Sequence, residues 1–550
     1  MDRRVDQGRA AVVPARARWA LAVVPVLFTA LFFLWPLGAI LARGLSLDAI
    51  GDALADGHTR SVVWFTLWQA AVCAIAAVAF GLVPAYVLSR YRVPGRRLLL
   101  ALVTVPFMLP TVVVGSAFLA LLPGSMHRTI PAVLIAHVWV NLAVVVRTVG
   151  ASVSQMDPGL GDAAATLGAS PWRVMRHVTL PLLRPAIWAS SAVVFLFCFT
   201  SFGIVRLVGG PQHPTLEVEI WRRSTQSFDL RSAAALAVVQ LVIVVGLTVV
   251  WSGQQARTST VSRVRTLVSL RRARTAGQRW LVAVTSLVTA VVVLAPLGVM
   301  VERSLRTSAG RHTVEAWRAV LGIGRSARWS GGSGGAQPVV ADPWSTVLAS
   351  LRIAAAATVI ALVVGTLAAC AIAYARRAGR LLDIGLMLPL GTSAVTIGFG
   401  LIITFNRGWY DLRGSWVMLP IGQALVAVPF VVRVILPTMR SIQPGLREAA
   451  ATLGASPLRV WAEIDLPVLR RAMGAGAGFA FAISVGEFGA SSFLTRIGNE
   501  TAPIAISRLV ARPSMLNLAQ AYSLATVLAV VTLVVIVVVD RLRGERGASF

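Results

Sequence analysis

Apolar stretches recur along the whole length of this 550-residue sequence, from near its first residues to near its last. Each is long enough to cross the hydrocarbon core of a bilayer as one α-helix, which needs about 20 residues. Hydrophobic residues make up 57% of the chain, and its mean hydropathy is +0.76. The stretches lack the apolar–polar alternation of a membrane-spanning β-barrel. The sequence therefore predicts an all-α polytopic membrane protein.

The apolar stretches form two parallel sets of six, which predicts two six-helix halves in one orientation. Pro36-Leu37-Gly38 returns as Pro296-Leu297-Gly298, and Phe202-Gly203 returns as Phe488-Gly489. A parallel repeat implies a pseudo-two-fold axis along the membrane normal. The twelve predicted transmembrane helices lie at roughly 19–42, 62–89, 98–122, 132–154, 185–206, 232–251, 280–301, 346–375, 382–405, 417–439, 471–494 and 519–540.

Charge and hydropathy together divide the chain into five predicted segments. Seven arginines between the two halves mark a linker that the positive-inside rule assigns to the cytoplasm, together with both termini. The long outer loop near 303–344 is glycine-rich and is interpreted as a flexible spacer. The segments are an N-terminal tail (1–18), a first transmembrane domain (19–251), the linker (252–279), a second transmembrane domain (280–540) and a C-terminal tail (541–550).

All 51 basic residues are arginine, and this excludes two kinds of chemistry. A Walker A loop needs its lysine on the nucleotide phosphates, and a Schiff base needs a lysine amine. Any ATP hydrolysis must therefore be performed by another chain. The three cysteines (Cys73, Cys198 and Cys370) lie in separate apolar stretches, and the six histidines show no ligand spacing. We expect inert thiols, no catalytic residue, no metal site and no cofactor bound by this chain.

One polar segment occurs twice, at 158–184 and 444–470, with 18 of 27 positions identical. Both copies fall on the cytoplasmic side in the predicted topology. In the first copy, Asp157 can cap a helix that Pro158 begins, and Gly168 suits its end. Ser170-Pro171 can start a second helix, which Pro181 is expected to end or kink. A lone interfacial hairpin is the alternative interpretation, but conservation between the copies favours two matched docking sites.

The repeated segments resemble the EAA motif, E-A-A-x-x-x-G followed by I-x-L-P, of binding-protein-dependent ABC import permeases. The first copy departs mildly, with Asp162 in place of Glu and Val178 in place of Ile. The two loops correspond to 155–184 and 441–470. The residues that match the motif are Asp162, Ala163, Ala164, Gly168, Leu180 and Pro181 in the first copy, and Glu448, Ala449, Ala450, Gly454, Leu466 and Pro467 in the second.

The resemblance covers essentially the whole chain and is closest to the fused permeases of thiamine and ferric-iron importers. It implies a methionine-importer-like ABC transmembrane fold in a bacterial plasma membrane. It also implies that each loop docks one of two ATPase subunits, which carry ATP and Mg²⁺. A substrate-binding protein outside the cytoplasm would deliver thiamine or ferric iron. Permeases for sulfate, molybdate or polyamine, and an ion-gradient-driven secondary transporter, are the alternatives.

Three polar residues inside predicted spans are candidates for the translocation path: Glu487, Ser201 and Asn141. An intramembrane carboxylate is costly, so Glu487 is a functional candidate that can attract a cationic substrate. The other interpretations are a carboxylate satisfied by a neighbouring helix and a carboxylate that already lies at the outer interface. Because Ser201 is the counterpart of Glu487 in the first half, such a role would be asymmetric.

Overall fold

The protein is all-α over the part of the chain that the structure describes, with no β-strand among those residues. The computed structural model describes residues 15–258, 270–306, 311–323, 340, 342–374, 376–406, 411–412, 414–496, 499–512 and 514–543. Parts of the predicted tails (1–14 and 544–550), of the linker (259–269) and of the outer loop (307–310, 324–339 and 341) lie outside these residues.

Each half contributes twelve helices to the described structure. The first half has α1 (Ala15–Thr29), α2 (Trp35–Gly44), α3 (Leu47–Ala55), α4 (Gly57–Arg90), α5 (Arg96–Met108), α6 (Thr111–Leu121), α7 (Ile130–Gln155), α8 (Pro158–Thr166), α9 (Pro171–Val174), α10 (Leu180–Phe199), α11 (Leu216–Thr225) and α12 (Leu230–Thr258). The second half has α13 (Ala276–Ser304), α14 (Glu315–Val320), α15 (Pro343–Tyr374), α16 (Arg376–Gly391), α17 (Ala394–Thr404), α18 (Met418–Ser441), α19 (Pro444–Thr452), α20 (Pro457–Val460), α21 (Leu466–Gly486), α22 (Ser491–Leu494), α23 (Ala502–Ala511) and α24 (Met515–Arg543).

Ten helical segments of the described chain are long and apolar enough to cross a membrane, and two bent helix pairs bring the total to twelve. The prediction of an all-α protein with about twelve spans in two halves is confirmed. The ten are Ala20–Gly44, Gly57–Arg90, Ile130–Gln155, Pro171–Phe199, Leu230–Val249, Ala276–Ser304, Pro343–Tyr374, Met418–Ser441, Pro457–Gly486 and Leu516–Val539.

The third and ninth predicted spans are broken rather than straight. Helices α5 and α6 meet at 102°, and α16 and α17 meet at 98°. Pro110 follows an extended Leu109, as the steric clash with a proline ring favours. In the second half, Ser393 caps α17 by accepting a hydrogen bond from the Thr396 amide at 3.0 Å. The two halves therefore break the same span with different residues.

The fifth and eleventh spans begin earlier than predicted, because the prolines do not end the helices. One continuous helical segment runs from Pro171 to Phe199, and another from Pro457 to Gly486. A π-helical turn just before the Leu-Pro pair lets the Leu180 amide donate to the Met175 carbonyl, five residues back. This wider turn accommodates Pro181, which lacks an amide proton. The second helix of each repeated segment is therefore the cytoplasmic start of a span.

The two halves are intertwined by their first helices. Helix α1 packs on α15 and α2 packs on α17, whereas α13 packs on α4, α5 and α6. Within each half the closest helix pair is α4 with α7, or α15 with α18. A methyl group on Gly81 or on Gly365 would lie 2.7 Å from Cγ1 of Val145 or of Val431, respectively. Glycine is needed at both positions for this close approach of the helices.

Candidate coupling loops and the contact between the halves

The repeated segment folds into the same pair of short helices in both halves, as the sequence predicts. In the first copy, Asp157 accepts a hydrogen bond from the Gly159 amide at 2.9 Å and begins α8. Ser170 caps the next helix by accepting from the Arg173 amide at 3.4 Å. In the second copy, Ser456 accepts from the Arg459 amide at the same distance. Capping residues therefore fix the start of these helices.

A glycine in the left-handed conformation ends the first helix of each copy. Gly168 has φ +81° and Gly454 has φ +83°. The amide of the next residue, Ala169 or Ala455, donates to a carbonyl five positions back at 3.0 Å. This is the hydrogen-bond pattern of a glycine-terminated helix, and it turns the chain sharply into α9 or α20.

Each loop presents large apolar side chains outward at matched positions. Leu167 is 89% exposed and Leu453 is 88% exposed, so both of these matched leucines are almost fully accessible to solvent. Trp172 and its counterpart Leu458 are also exposed. Exposed apolar groups grouped on a polar loop mark a surface that contacts another molecule. Sequence reasoning missed these four residues, although the two leucines stand in the identical Thr-Leu-Gly-Ala-Ser-Pro run of both copies.

The motif residues take matched positions in the two loops. The acidic residue and first alanine of each copy are exposed, the second alanine is partly buried, and the glycine is exposed. The leucine of each Leu-Pro pair is partly buried where α10 or α21 begins. These residues are Asp162, Ala163, Ala164, Gly168, Leu180 and Pro181, and Glu448, Ala449, Ala450, Gly454, Leu466 and Pro467.

The charged contacts of the two loops differ. Asp162 forms a two-point ion pair with Arg271 of the linker, at 2.6 and 3.0 Å. The Arg271 guanidinium lowers the pKa of the Asp162 carboxyl below its ordinary value. In the second half, Arg447 instead pairs with the buried Asp465 at 2.8 Å, and the Tyr374 hydroxyl donates to the same carboxylate at 2.5 Å. Only the first loop is therefore tied to the linker through its motif carboxylate, among the contacts that the structure describes.

The halves meet at a pair of phenylalanines that are counterparts in the repeat. Phe202 and Phe488 differ by the repeat offset of 286 positions, and their ring centroids lie 5.2 Å apart. Both side chains are buried. Two equivalent residues can touch only where the pseudo-two-fold axis passes between them. This contact therefore locates the axis, and with it the centre of the molecule.

Arg206 lies beside this pair and contacts both halves. Its guanidinium carbon is 3.7 Å from the ring centroid of Trp221 and 5.1 Å from that of Phe488. It also donates to the Ser492 hydroxyl at 3.1 Å, and Ser492 is its own counterpart at the same offset. A cation over aromatic faces in a partly buried setting is a favourable arrangement. The two phenylalanine rings and the Arg206 guanidinium therefore lie together at the axis.

Glu487 lies next to Phe488, but its carboxylate is satisfied within its own turn. It accepts hydrogen bonds from the Ala490 amide at 2.7 Å, from the Ser491 amide at 2.9 Å and from the Ser491 hydroxyl at 2.7 Å. These hydrogen bonds hold the turn that leads from Glu487 into the short helix α22. A carboxylate in this position shapes the turn that carries Phe488 to the axis.

The two other predicted path residues belong to a separate buried cluster in the first half. Ser201 Oγ is 2.8 Å from Nε2 of His137, and Asn141 donates to Cys198 Sγ at 3.4 Å. The ligand atoms of Cys73, His137 and Cys198 all lie within 4.8 Å of one another. Nothing in the sequence indicated that these three side chains converge, because they lie far apart along the chain. The third cysteine, Cys370, lies in the other half.

The chain matches a family model twice. Residues 77–257 and 361–544 each match the model described as "binding-protein-dependent transport system inner membrane component". The two matches cover corresponding parts of the two halves, and each includes one repeated segment. The duplication seen in the fold is therefore a duplication of one family domain.

Three curated relatives are similar to between 39% and 96% of this chain. The probable ABC transporter permease protein y4fN of Sinorhizobium fredii is 25% identical over 96% of this chain and 95% of its own. The thiamine transport system permease protein ThiP of Escherichia coli is 27% identical over 79% of this chain and 80% of its own. The sulfate transport system permease protein CysT of Salmonella typhimurium is 34% identical, over 39% of this chain and 84% of its own.

Proposed function

Because this chain belongs to the family of binding-protein-dependent transport system inner membrane components and is similar over both halves to thiamine transport system permeases, we propose that it imports thiamine by alternating access. It is a permease subunit of an ABC importer and a multi-pass inner membrane protein. Membership of the family implies an ATPase partner and a substrate-binding protein. ATP and Mg²⁺ belong to that ATPase, since the chain is a transport subunit without a lysine for a Walker A loop.

The proposed ATPase contacts are the two repeated loops, with one ATPase subunit at each. The observation that carries this proposal is the matched exposure of Leu167 and Leu453 at the tips of two loops of equal shape. An apolar side chain that enters a cleft of a partner loses contact with water and stabilises the complex. Rigid short helices then transmit closure of the ATPase dimer to α10 and α21, which continue directly from the loops.

A co-purification experiment tests the docking proposal. We expect Leu167→Asp and Leu453→Asp each to weaken retention of the ATPase, because a buried carboxylate without a partner is costly. Leu45→Asp is the matched control, because Leu45 is an exposed leucine after α2 that the predicted topology places on the outer side of the membrane. Equal ATPase retention by all three variants would show that the loops do not dock the motor.

The proposed substrate rests on relatives named as thiamine transport system permeases, which match over both halves. Ferric iron remains a candidate from the motif resemblance. Sulfate is a candidate because a sulfate permease is similar over 39% of this chain. The half-buried guanidinium of Arg206 at the axis is also a favourable neighbour for an anion. The residues proposed to face the path are Phe202, Phe488 and Arg206. Ser201, Asn141 and Glu487 are proposed to support them from the buried side.

Uptake into vesicles that contain the complete importer distinguishes these substrates. We expect ATP-dependent accumulation of labelled thiamine that depends on the binding protein. Uptake of labelled sulfate or ferric iron, with none of thiamine, would reject the proposed substrate and retain the permease function. ATP-independent uptake driven by an ion gradient would instead support a secondary transporter.

A further inference from the structure

Three spans of the first half bring two thiols and one imidazole together inside the helix bundle. Cys73 lies on α4, His137 on α7 and Cys198 at the end of α10, and each is at most 1% exposed. Their ligand atoms lie within 4.8 Å of one another. We propose that this Cys₂His cluster binds a zinc ion that joins the three helices.

The hydrogen bonds of His137 leave one ring nitrogen available for a metal. Its Nε2 lies 2.8 Å from Ser201 Oγ, whereas Nδ1 is buried without a hydrogen-bond partner. A neutral imidazole carries one N–H, so an Nε2–H that donates to Ser201 leaves a lone pair on Nδ1. Metal-ligating histidines characteristically donate their second ring nitrogen to a neighbour, which fixes the tautomer and the ring orientation.

The distances and charges suit Zn²⁺. With Zn–S of about 2.3 Å and Zn–N of about 2.0 Å, the ligand atoms of a tetrahedral site lie roughly 3.3–3.8 Å apart. Side-chain rotations therefore suffice to close a cluster whose atoms already lie within 4.8 Å. Two thiolates neutralise Zn²⁺ and a neutral imidazole adds no charge, so the complex is neutral in a low-dielectric interior. Cu⁺ with the same ligands would leave a net negative charge.

Amide side chains surround the sulfur atoms. Asn141 Nδ2 donates to Cys198 Sγ at 3.4 Å, which stabilises a thiolate there. Gln69 Oε1 lies 3.9 Å from Cys73 Sγ, on the same helix one turn earlier. Oxygen is an accepted zinc ligand, and Gln69 Oε1 and the unpartnered Asn141 Oδ1 are side-chain amide oxygens beside the cluster.

The second half provides an internal comparison. The matched glycine contacts relate α4 to α15 by 284 positions, from Gly81 to Gly365, and α7 to α18 by 286, from Val145 to Val431. These offsets, with 286 for α10, align the cluster with Ala357, Gln423 and Ser484. This set contains neither a thiol nor an imidazole. The proposed zinc site is therefore a property of the first half alone.

Metal analysis of the purified full-length protein tests the proposal. We expect about one zinc ion per chain after incubation with Zn²⁺ alone and removal of free metal. Substitution with Co²⁺ should give the visible bands of a tetrahedral ion and a thiolate-to-cobalt charge-transfer band. Cys73→Ser, Cys198→Ser and His137→Gln should each lose the bound ion, whereas Cys370→Ser should keep it, because Cys370 lies outside the cluster.

Ser201→Ala tests the role of the second ring nitrogen separately from folding. Loss of an outer partner weakens metal affinity by roughly tenfold or more, so we expect weaker binding with the cobalt spectrum retained. The proposal is overturned if the wild-type chain binds no more zinc than Cys73→Ser, if it binds Cu⁺ but no Zn²⁺, or if mass spectrometry finds Cys73 and Cys198 joined as a disulfide. Comparison with Cys370→Ser under the same conditions excludes a general effect of removing a thiol.

Discussion

At the scale of single residues, the two loop glycines have a role that no other residue type fills easily. Gly168 and Gly454 both hold a positive φ near 80°, and an added methyl group would meet no neighbouring atom within 4 Å at either site. Steric space is therefore not the constraint. The constraint is the backbone conformation, since in the left-handed region the Cβ atom of a residue contacts that residue's own carbonyl oxygen.

Gly168→Ala and Gly454→Ala should weaken ATPase binding without unfolding the bundle. The left-handed conformation costs an alanine about 1 kcal/mol, and a loop that relaxes to avoid this cost misplaces the adjacent leucine. We expect roughly fivefold weaker binding for each variant, the equivalent of that free energy. Titration of the purified permease with its ATPase measures the effect.

Gly445→Ala is the control for this experiment. It lies in α19 of the same loop, has no positive φ, and has open space around the added methyl group. It should bind the ATPase as the wild type does. If Gly445→Ala weakens ATPase binding as much as Gly454→Ala does, the left-handed turn does not determine docking.

At the scale of elements, each half depends on one close helix pair. Gly81 on α4 faces Val145 on α7, and Gly365 on α15 faces Val431 on α18, with the same 2.7 Å approach of an added methyl group. Lipid offers no hydrophobic drive for helices to associate, so such pairs rely on close van der Waals packing. The pair is repeated in both halves, although the surrounding residues have diverged.

Gly81→Ala should lower the thermal stability of the purified protein. Overpacking of this kind costs typically about 1–3 kcal/mol. Val145→Ala in the same chain removes the clashing Cγ1 atom, so the double variant should recover part of the loss. Gly246→Ala, where the added methyl group meets nothing within 4 Å, should leave the unfolding temperature unchanged. A double variant no more stable than Gly81→Ala would contradict this packing account.

At the scale of the whole molecule, the pseudo-two-fold axis passes between Phe202 and Phe488. Both follow the break at the end of a long span, where α10 ends at Phe199 and α21 ends at Gly486. In the proposed mechanism, movement of the coupling loops acts on these same helices from their other ends. We therefore propose that a rocking motion of the halves separates the ring pair.

The double variant Phe202→Ala/Phe488→Ala should let substrate leak through the membrane without ATP. Removing both rings opens the contact at the axis, and we expect raised passive uptake in vesicles with the ATPase still bound. Phe107→Ala/Phe197→Ala is the matched control, because these rings also pack at 5.3 Å but are partly exposed on one half. Equal leakage from both variants would mean that Phe202 and Phe488 do not close the path.

Much of the fold could be predicted, because bilayer physics acts on long stretches of sequence. The number of spans, their two-fold repetition and the caps of the loop helices follow from hydropathy, duplication, proline and glycine. The sharp breaks at Pro110 and Ser393 could not be predicted, since each bent helix pair, taken together, is still long and apolar enough for one straight span. The continuation of the helix through Pro181 could not be predicted either, because it depends on the π-helical turn just before this proline.

Three properties of this chain follow from its amino-acid sequence without the structure: it spans a membrane, it is a duplicated permease, and the ATPase is another protein. Those conclusions rest on local composition and on short motifs, which are independent of the partners that each residue finds in space. The folded structure was needed to show that Phe202 contacts Phe488, that Arg271 pairs with Asp162, and that Cys73, His137 and Cys198 converge. Contacts between residues so distant in sequence depend on how the helices pack. Helix packing depends on the shapes of side chains, and the hydropathy of a span does not distinguish these shapes.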